Sequence, residues 1–463
     1  LRCALQGTLV VTELAGYVTD IPYVAGFKPM LAPAWLDLVA VIGGVAPPAL
    51  EDGFAWCDLG CGHGVTATIL AATHPVGTFH GIDAMPVHID GAARLAAEAG
   101  AVNAQFHAAD FAGTLDRPLP GFDYIVAHGV YSWVDAATRL HVRRLIDRHL
   151  KPGGLVYVSY NALPGWTGDL PFQHLVRALA VDANASGSGD SAARFAAASQ
   201  LIQRLADTGA AALASSYTLR ELRERPDDYR PGYLVHEFLH AGWQPLYVTE
   251  LRRDMAEIGL FPVGSAILLE NFDRWVLGRR ARALVAAIAD PDLRELVRDF
   301  AIDQRFRCDV FARDAARLGE AEQRRRLFAA GLALARPASV LSYRAPTPAG
   351  RLDYDNPIAR SIVAALAAGA RSLADIAPGV AAPRDLLANA LALCAAGDVR
   401  PVETGRAPVA ALNRALRRRL GTDEVPLIAL PCGTALEVDH QLPGLLTDHG
   451  DPVWREFLAL HGI

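Results

Sequence analysis

Two periodicities alternate along the first third of the chain. Short runs that are apolar on both faces, FAWCDL from Phe54, TFHGID from Thr78, AQFHAAD from Ala104, FDYIVAHG from Phe122 and GLVYVSYN from Gly154, predict five strands. Between them lie stretches whose apolar residues recur every three or four positions, such as VTATILAATH from Val65, VHIDGAARLAAEAG from Val87 and DAATRLHVRRLIDRHL from Asp135. Strands that need cover on both faces, separated by helices, make a parallel sheet with helices on each side. The pattern therefore predicts an α/β fold.

Beyond the fifth strand the pattern changes. From about Trp166 to Gly242 it is helical and rich in Ala, Arg, Leu and Ser, with a hinge at NASGSGDS from Asn184 to Ser191. A helix from Thr249, stopped by Gly259, then leads into a strand through Val263, which reads as the close of the same sheet. The helical stretch is thus an insert within the sheet domain. Residues from about Asp273 to Leu341 are helical and dense in arginine, SYRAPTPAG from Ser342 to Gly350 reads as a linker, and the last hundred residues suggest a small winged-helix-like module. The boundaries expected are 1–270 for the sheet domain with its insert at about 167–245, 271–345 for a helical middle region and 346–463 for the C-terminal module. RDLLANALALCAAG, where a DNA-recognition helix would lie, is mostly Ala and Leu, so protein packing is expected there and nucleic acid is not.

Composition narrows the class. In 463 residues, 52% hydrophobic and 20% charged residues describe a folded, soluble chain, and 44 Lys+Arg against 50 Asp+Glu gives a net charge of −6 that advertises no polyanionic partner. The most apolar run, LDLVAVIGGVAPPAL from Leu36, is broken by glycines and prolines, so no membrane span is expected; nor does the start read as a signal peptide. Six scattered cysteines fit reduced thiols in a cytoplasmic protein better than a disulfide framework. Cys57 and Cys61 have no answering Cys/His pair, so no metal site is expected.

The candidate chemistry lies at CDLGCGHG, Cys57 to Gly64, in the first strand–helix turn, where a doubly wound sheet binds its ligand. Glycines at 60, 62 and 64 let main chain approach a ligand closely. The third glycine is one place early for a dinucleotide fingerprint, and no GK[ST] follows for a phosphate cradle. DLGCGHG resembles the first motif of class I S-adenosylmethionine-dependent methyltransferases, and HGIDAMP, HAADF and LKPGG follow in the family's order. The resemblance implies a Rossmann-like methyltransferase sheet and S-adenosylmethionine as cofactor. It implies that Asp83 takes the ribose hydroxyls, that Asp110 meets the adenine amino group, and that main chain around Gly60 and Gly62 holds the methionine tail. Asp58 would orient the loop or reach the amino group through water. Cys61, Ala84, Met85, Phe111 and His128 complete the implied cofactor contacts.

YVTDIPYVAGF from Tyr17, SYNALPGW from Ser159 and YLVHEFLHAGWQPLYVTEL from Tyr233 narrow the resemblance to the methyltransferases with an attached regulatory domain. That subgroup includes bacterial lysine methyltransferases acting on outer-membrane proteins, so a protein or peptide amine is the acceptor expected. A small-molecule methyltransferase and a cofactor-binding regulator without turnover remain the alternatives, and a homo-oligomer is left open. The chain lacks the [DN]PP[YF] motif of methylases that act on amines of DNA bases or glutamine; it has AHGVYSWV instead. His128 there is either a general base for a hydroxyl acceptor or a structural plug. Tyr131 and Trp133 either wall the transfer site or pack in the core. Tyr17, Tyr23, Tyr131 and Trp166 are placed along an acceptor channel, with Asp20 and Glu237 to attract the cation; the preferred reading of His236 and Glu237 is as contacts with the insert on a helix face.

Overall fold

The computed structural model describes residues 13–14, 17–18, 26–50, 52–185, 190–229, 231–376, 382–403, 407–418, 427–437 and 452–460. Tyr23, Asp20 and residues 186–189 of the hinge lie outside the described residues, and of Tyr17 only the backbone is described, in a short ladder of Glu13–Leu14 with Tyr17–Val18.

The centre is a seven-stranded sheet. Its strands are β1 (Phe54–Leu59), β2 (Gly77–Asp83), β3 (Ala104–Ala108), β4 (Phe122–Ala127), β5 (Leu150–Asn161), β6 (Phe261–Ser265) and β7 (Phe306–Ala312). They run in the order β3-β2-β1-β4-β5-β7-β6, parallel except for β7, which is antiparallel to both its neighbours. Every residue of β1 is buried, as its unbroken apolar run requires. Helices α1 (Pro33–Ile42), α2 (Val65–Thr73), α3 (Pro86–Ala99) and α5 (Ala136–His149) connect and cover these strands, with a single short turn, α4 (Phe111–Thr114), after β3. VTATILAAT is apolar or small all round because α2 is buried on all but one of its residues.

The five expected strands are present, and the closing helix and strand are α10 (Val248–Ala256) and β6. The expected boundary at 270 is corrected: β7 lies beyond it, inserted between β5 and β6, so the sheet runs on to Ala312. The stretch before β7 is helical as expected and includes α11 (Pro291–Ile302).

By its contacts the chain forms two compact units. One comprises residues 1–24, 132–136 and 165–245. Its helices are α6 (Leu170–Ala185), α7 (Ser191–Asp207), α8 (Tyr217–Glu224) and α9 (Pro231–Phe238). Aromatic rings make its core: Phe172 meets Phe238 edge-on at 5.3 Å, and Trp166 meets Trp243 in the same way at 5.3 Å. The buried Asp169 accepts from Ser216 Oγ at 2.6 Å and from the Thr218 amide at 3.0 Å, which fixes the start of α8. The short ladder of Glu13–Leu14 with Tyr17–Val18 groups with the insert rather than with the sheet.

The second unit holds the sheet and everything from Leu246 onward. The supposed linker at 342–350 folds into a hairpin, with Arg344–Thr347 pairing with Gly350–Asp353. In the C-terminal segment, Pro357–Leu366, Arg371–Ser372, Pro383–Ala395 and Val399–Val402 follow in helix–strand–helix–strand order. The middle strand of their small sheet is Gly331–Leu334, from upstream of residue 346. That segment is thus not self-contained, and its core is continuous with that of the sheet.

Candidate active site

Three glycines in left-handed conformations turn the chain from β1 into α2, at φ +87° for Gly60, +52° for Gly62 and +63° for Gly64. They differ in what their missing side chains leave room for. A Cβ on Gly60 would lie 2.6 Å from Val130 Cγ2, and one on Gly64 would lie 2.5 Å from Phe106 Cε1 and 2.6 Å from Ala92 Cβ. A Cβ on Gly62 would meet nothing within 4 Å. Gly60 and Gly64 are therefore small because protein packs against them, whereas Gly62 faces open space.

The loop's amides turn inward. Those of Gly60 and Cys61 donate to Ile82 O at 2.8 and 3.0 Å, that of Gly64 to Cys61 O at 3.0 Å, and that of Gly62 to Asp83 Oδ2 at 2.9 Å. A phosphate cradle needs amides pointing outward, so this loop is not built for an anion. Beneath it, Asp58 is buried, and its Oδ1 has no hydrogen-bond partner among the described residues. Burial, helped by the charge of Asp83, raises its pKa to about 8. An orphaned acceptor beside a bare backbone fits a ligand that brings a cationic donor, as the ammonium of S-adenosylmethionine is.

Asp83 ends β2 at the same edge of the sheet. Besides Gly62, it accepts from the Met85 amide at 2.9 Å, and its Oδ1 lies 3.2 Å from His88 Nδ1. Ala84 and Met85 are half-buried beside it. After β3, the exposed Asp110 caps α4, accepting from the Gly113 amide at 2.7 Å, with the half-buried Phe111 next in the chain. Cys61 is half-buried in the loop, its Sγ 3.6 Å from Gly62 O.

At the end of β4 lie His128 and Tyr131. His128 Nδ1 lies 2.9 Å from the Tyr157 hydroxyl and 3.2 Å from Ser159 Oγ, which also accepts from the Gly129 amide at 2.8 Å. Burial, helped by Lys28, lowers the His128 pKa to about 3. A base that weak does not suit a hydroxyl acceptor, and with Nδ1 held by Tyr157 and Ser159 the placement supports the structural reading of His128. The placement of Tyr131 supports its packing reading. It is fully buried, and its hydroxyl donates to Asp254 Oδ2 at 2.7 Å, on α10, where Arg143 of α5 holds the other carboxylate oxygen at 3.0 Å. Tyr131→Phe should therefore lower stability by about 1.5–3 kcal/mol, the size of a hydrogen bond to a charged group, while leaving turnover unchanged. Urea unfolding and a steady-state assay check this; slowed turnover at parental stability would return Tyr131 to the transfer site.

In the helical unit, Trp166 is buried against Trp243 and Phe238, and the Trp243 indole donates to the buried Glu237 at 3.4 Å. His236 is also buried there. The sequence reading misses His88 and Asp254. An Asp83-to-His88 spacing of five across a strand–helix turn matches no motif, and Asp254 lies more than a hundred residues from Tyr131.

The fold and the site define a class I S-adenosylmethionine-dependent methyltransferase. Residues 50–207 match the family model described as a methyltransferase domain, and residues 230–313 match the one described as a predicted methyltransferase regulatory domain. An uncharacterized protein of Synechocystis, sll1526, is 31% identical over 361 residues, 78% of this chain and 71% of its own. The uncharacterized protein RP028 of Rickettsia prowazekii is 28% identical over 48% of this chain and 86% of its own. Among solved structures, PKMT2 of Rickettsia typhi in complex with AdoHcy superposes with a TM-score of 0.68, at 20% identity, over 90% of this chain and 86% of that one. The chain belongs to the methyltransferases that carry this regulatory domain. In this chain the segment matching the regulatory model supplies α9 to the helical unit and α10, β6, α11 and β7 to the sheet unit.

Proposed function

We propose that this methyltransferase N-methylates a protein amine, the side chain of lysine. The observation that favours nitrogen over oxygen is the setting of His128: its Nδ1 is engaged by Tyr157 and Ser159, and burial lowers its pKa, so it does not suit the base that a hydroxyl acceptor needs. A hydroxyl must lose its proton as it attacks, whereas an amine needs only to arrive neutral, which an apolar approach favours by desolvating the ammonium. Bulk water can take that proton beforehand, so the protein's task becomes holding the nitrogen in line. The likeness to PKMT2, whose name is that of a protein lysine methyltransferase, supports the reading.

When bound, S-adenosylmethionine supplies a methyl group on a sulfonium. The residues of this chain bind and orient it. Asp83 accepts from the ribose hydroxyls, Asp110 from the adenine amino group, and Asp58 takes the ammonium of the methionine tail, directly or through water. Gly62 lets the main chain close on the ligand. A protein or peptide is the partner. The deciding experiment incubates the protein with methyl-labelled cofactor and either denatured lysate or a metabolite extract. Label in protein bands, recovered as methyl-lysine, is expected. Label only in small molecules makes this a biosynthetic enzyme, and cofactor bound without transfer makes it a regulator.

Asp58 adds a pH dependence. With a pKa raised to about 8, it holds its proton at neutral pH in the free protein, and a cationic ligand favours the ionised form. Cofactor binding should then release a proton, and affinity should rise by up to about tenfold per pH unit below 8 and level off above it. The free protein shows the opposite trend: the stability that neutral Asp58 contributes is full below about 4, the ordinary range, and lost as pH rises through about 8. Calorimetry in buffers of different ionisation heat measures the proton; affinity flat from pH 6 to 8 would remove Asp58 from the site.

A further inference from the structure

We propose that His88 is a positioning residue for cofactor binding: by donating from Nδ1 to Asp83, it fixes the carboxylate that takes the ribose. The inference rests on the ribose reading of Asp83 above. An ionised carboxylate only accepts hydrogen bonds, so the 3.2 Å contact between His88 Nδ1 and Asp83 Oδ1 makes Nδ1 the donor. With Met85 also on Oδ1 at 2.9 Å, that oxygen is filled from α3 and its approach. Oδ2 carries one amide, from Gly62, and is the oxygen with room for a ligand. Asp83 keeps 14% exposure of its side chain, whereas His88 has 3%. The acid thus faces outward and the imidazole stands behind it.

Two further features give His88 more than a packing role. Its Nε2 is buried with no partner among the described residues, so the polar function of the ring is spent on Asp83 alone. Its ring also lies 4.5 Å from that of His63, tilted by 54°, and His63 sits between Gly62 and Gly64. One side chain on the first turn of α3 therefore holds Asp83 by a hydrogen bond and touches the glycine loop through a ring contact. Without this bond Asp83 keeps only the Gly62 and Met85 amides, and the ligand would have to complete its ordering at a cost in affinity.

The test compares His88→Asn, His88→Gln and His88→Ala. Asparagine puts an amide N–H where Nδ1 stands, and glutamine reaches toward Nε2 instead. His88→Asn should keep AdoHcy affinity within about threefold, while His88→Gln and His88→Ala should each lose about tenfold or more, the loss of one hydrogen bond to a charged group. KM for the cofactor should rise without a change in kcat at saturation. Adenosine, which carries the ribose, should show the loss and methionine should not. Equal affinities for the Asn and Gln variants overturn the proposal, and this comparison holds even if His88→Ala fails to fold. Asp83→Ala separates the two readings. If it leaves adenosine binding unchanged, the ribose assignment falls and His88 with it; if it weakens adenosine while His88→Gln does not, only the role of His88 falls.

Discussion

Gly64→Ala should destabilise the protein by roughly 2–5 kcal/mol, while Gly62→Ala, two residues away, should lose only the roughly 1–2 kcal/mol of its backbone conformation and bind cofactor at least tenfold more weakly. Both positions are left-handed, which costs an alanine about 1–2 kcal/mol. At Gly64 the new methyl adds a collision with Phe106 of β3 and Ala92 of α3, at 2.5 and 2.6 Å, so the helix must move off the sheet; overpacking of this kind costs about 1–3 kcal/mol more. At Gly62 the methyl enters free space, on the side where main chain and ligand would close. Its affinity for AdoHcy should fall at least tenfold, roughly 1.4 kcal/mol, by simple exclusion. Urea unfolding and calorimetry on the two variants separate the effects. A Gly64→Ala protein of parental stability would show that the turn relaxes freely, and a Gly62→Ala protein that binds AdoHcy normally would put the ligand on another side of the loop.

The contrast also shows what sequence conveys about the site. DLGCGHG announces a bare loop after a buried strand, and its position fixes which edge of the sheet holds the ligand. It does not say which glycine serves the ligand, because Val130, Phe106 and Ala92 come from distant parts of the chain. Asp83 and Asp110 are legible because each closes a strand at that edge. The roles of Tyr131 and His128 are not, since an aromatic or histidine after a strand reads the same whether it faces a substrate or is held by Asp254 or Tyr157.

The fold divides in the same way. The five leading strands are legible because each is buried on both faces and written as an apolar run. The strand Gly331–Leu334, GLAL, is hidden by leucines and an alanine that favour helices and becomes a strand by pairing with Arg371–Ser372 and Val399–Val402. β7 is hidden for a different reason. FRCDVFA carries Arg307 and Asp309 at alternate positions, which reads as a solvated face. Both are buried, because they bond to each other.

Arg307→Ala should therefore be among the most damaging single changes in the sheet unit, at about 3–5 kcal/mol. The guanidinium, 2% exposed, donates from Nη1 to Asp299 Oδ1 at 2.5 Å, from Nη2 to Glu295 Oε2 at 2.8 Å, and from Nε to both oxygens of Asp309 at 3.1 Å. Tyr160 of β5 donates to the same Asp309 at 2.8 Å, so one cation joins β7 to α11, and its aspartate to the neighbouring strand. Burial, with Asp309 and Glu295 adding to it, already raises the pKa of Asp299 to about 7 against the pull of Arg307. Without Arg307 the carboxylates are buried together with less positive charge to offset them, and the raised pKa of Asp299 should climb further. Folded-state values above the unfolded ones mean stability that is full below about 4 and lost as pH rises. The deficit of Arg307→Ala should consequently be largest at pH 7 and shrink toward pH 5, and Arg307→Met with Asp299→Leu should recover part of it by replacing charge with apolar volume. Urea unfolding at the two pH values reads both effects; a deficit below about 1 kcal/mol, or one that ignores pH, would mean that β7 is held by its ladder alone.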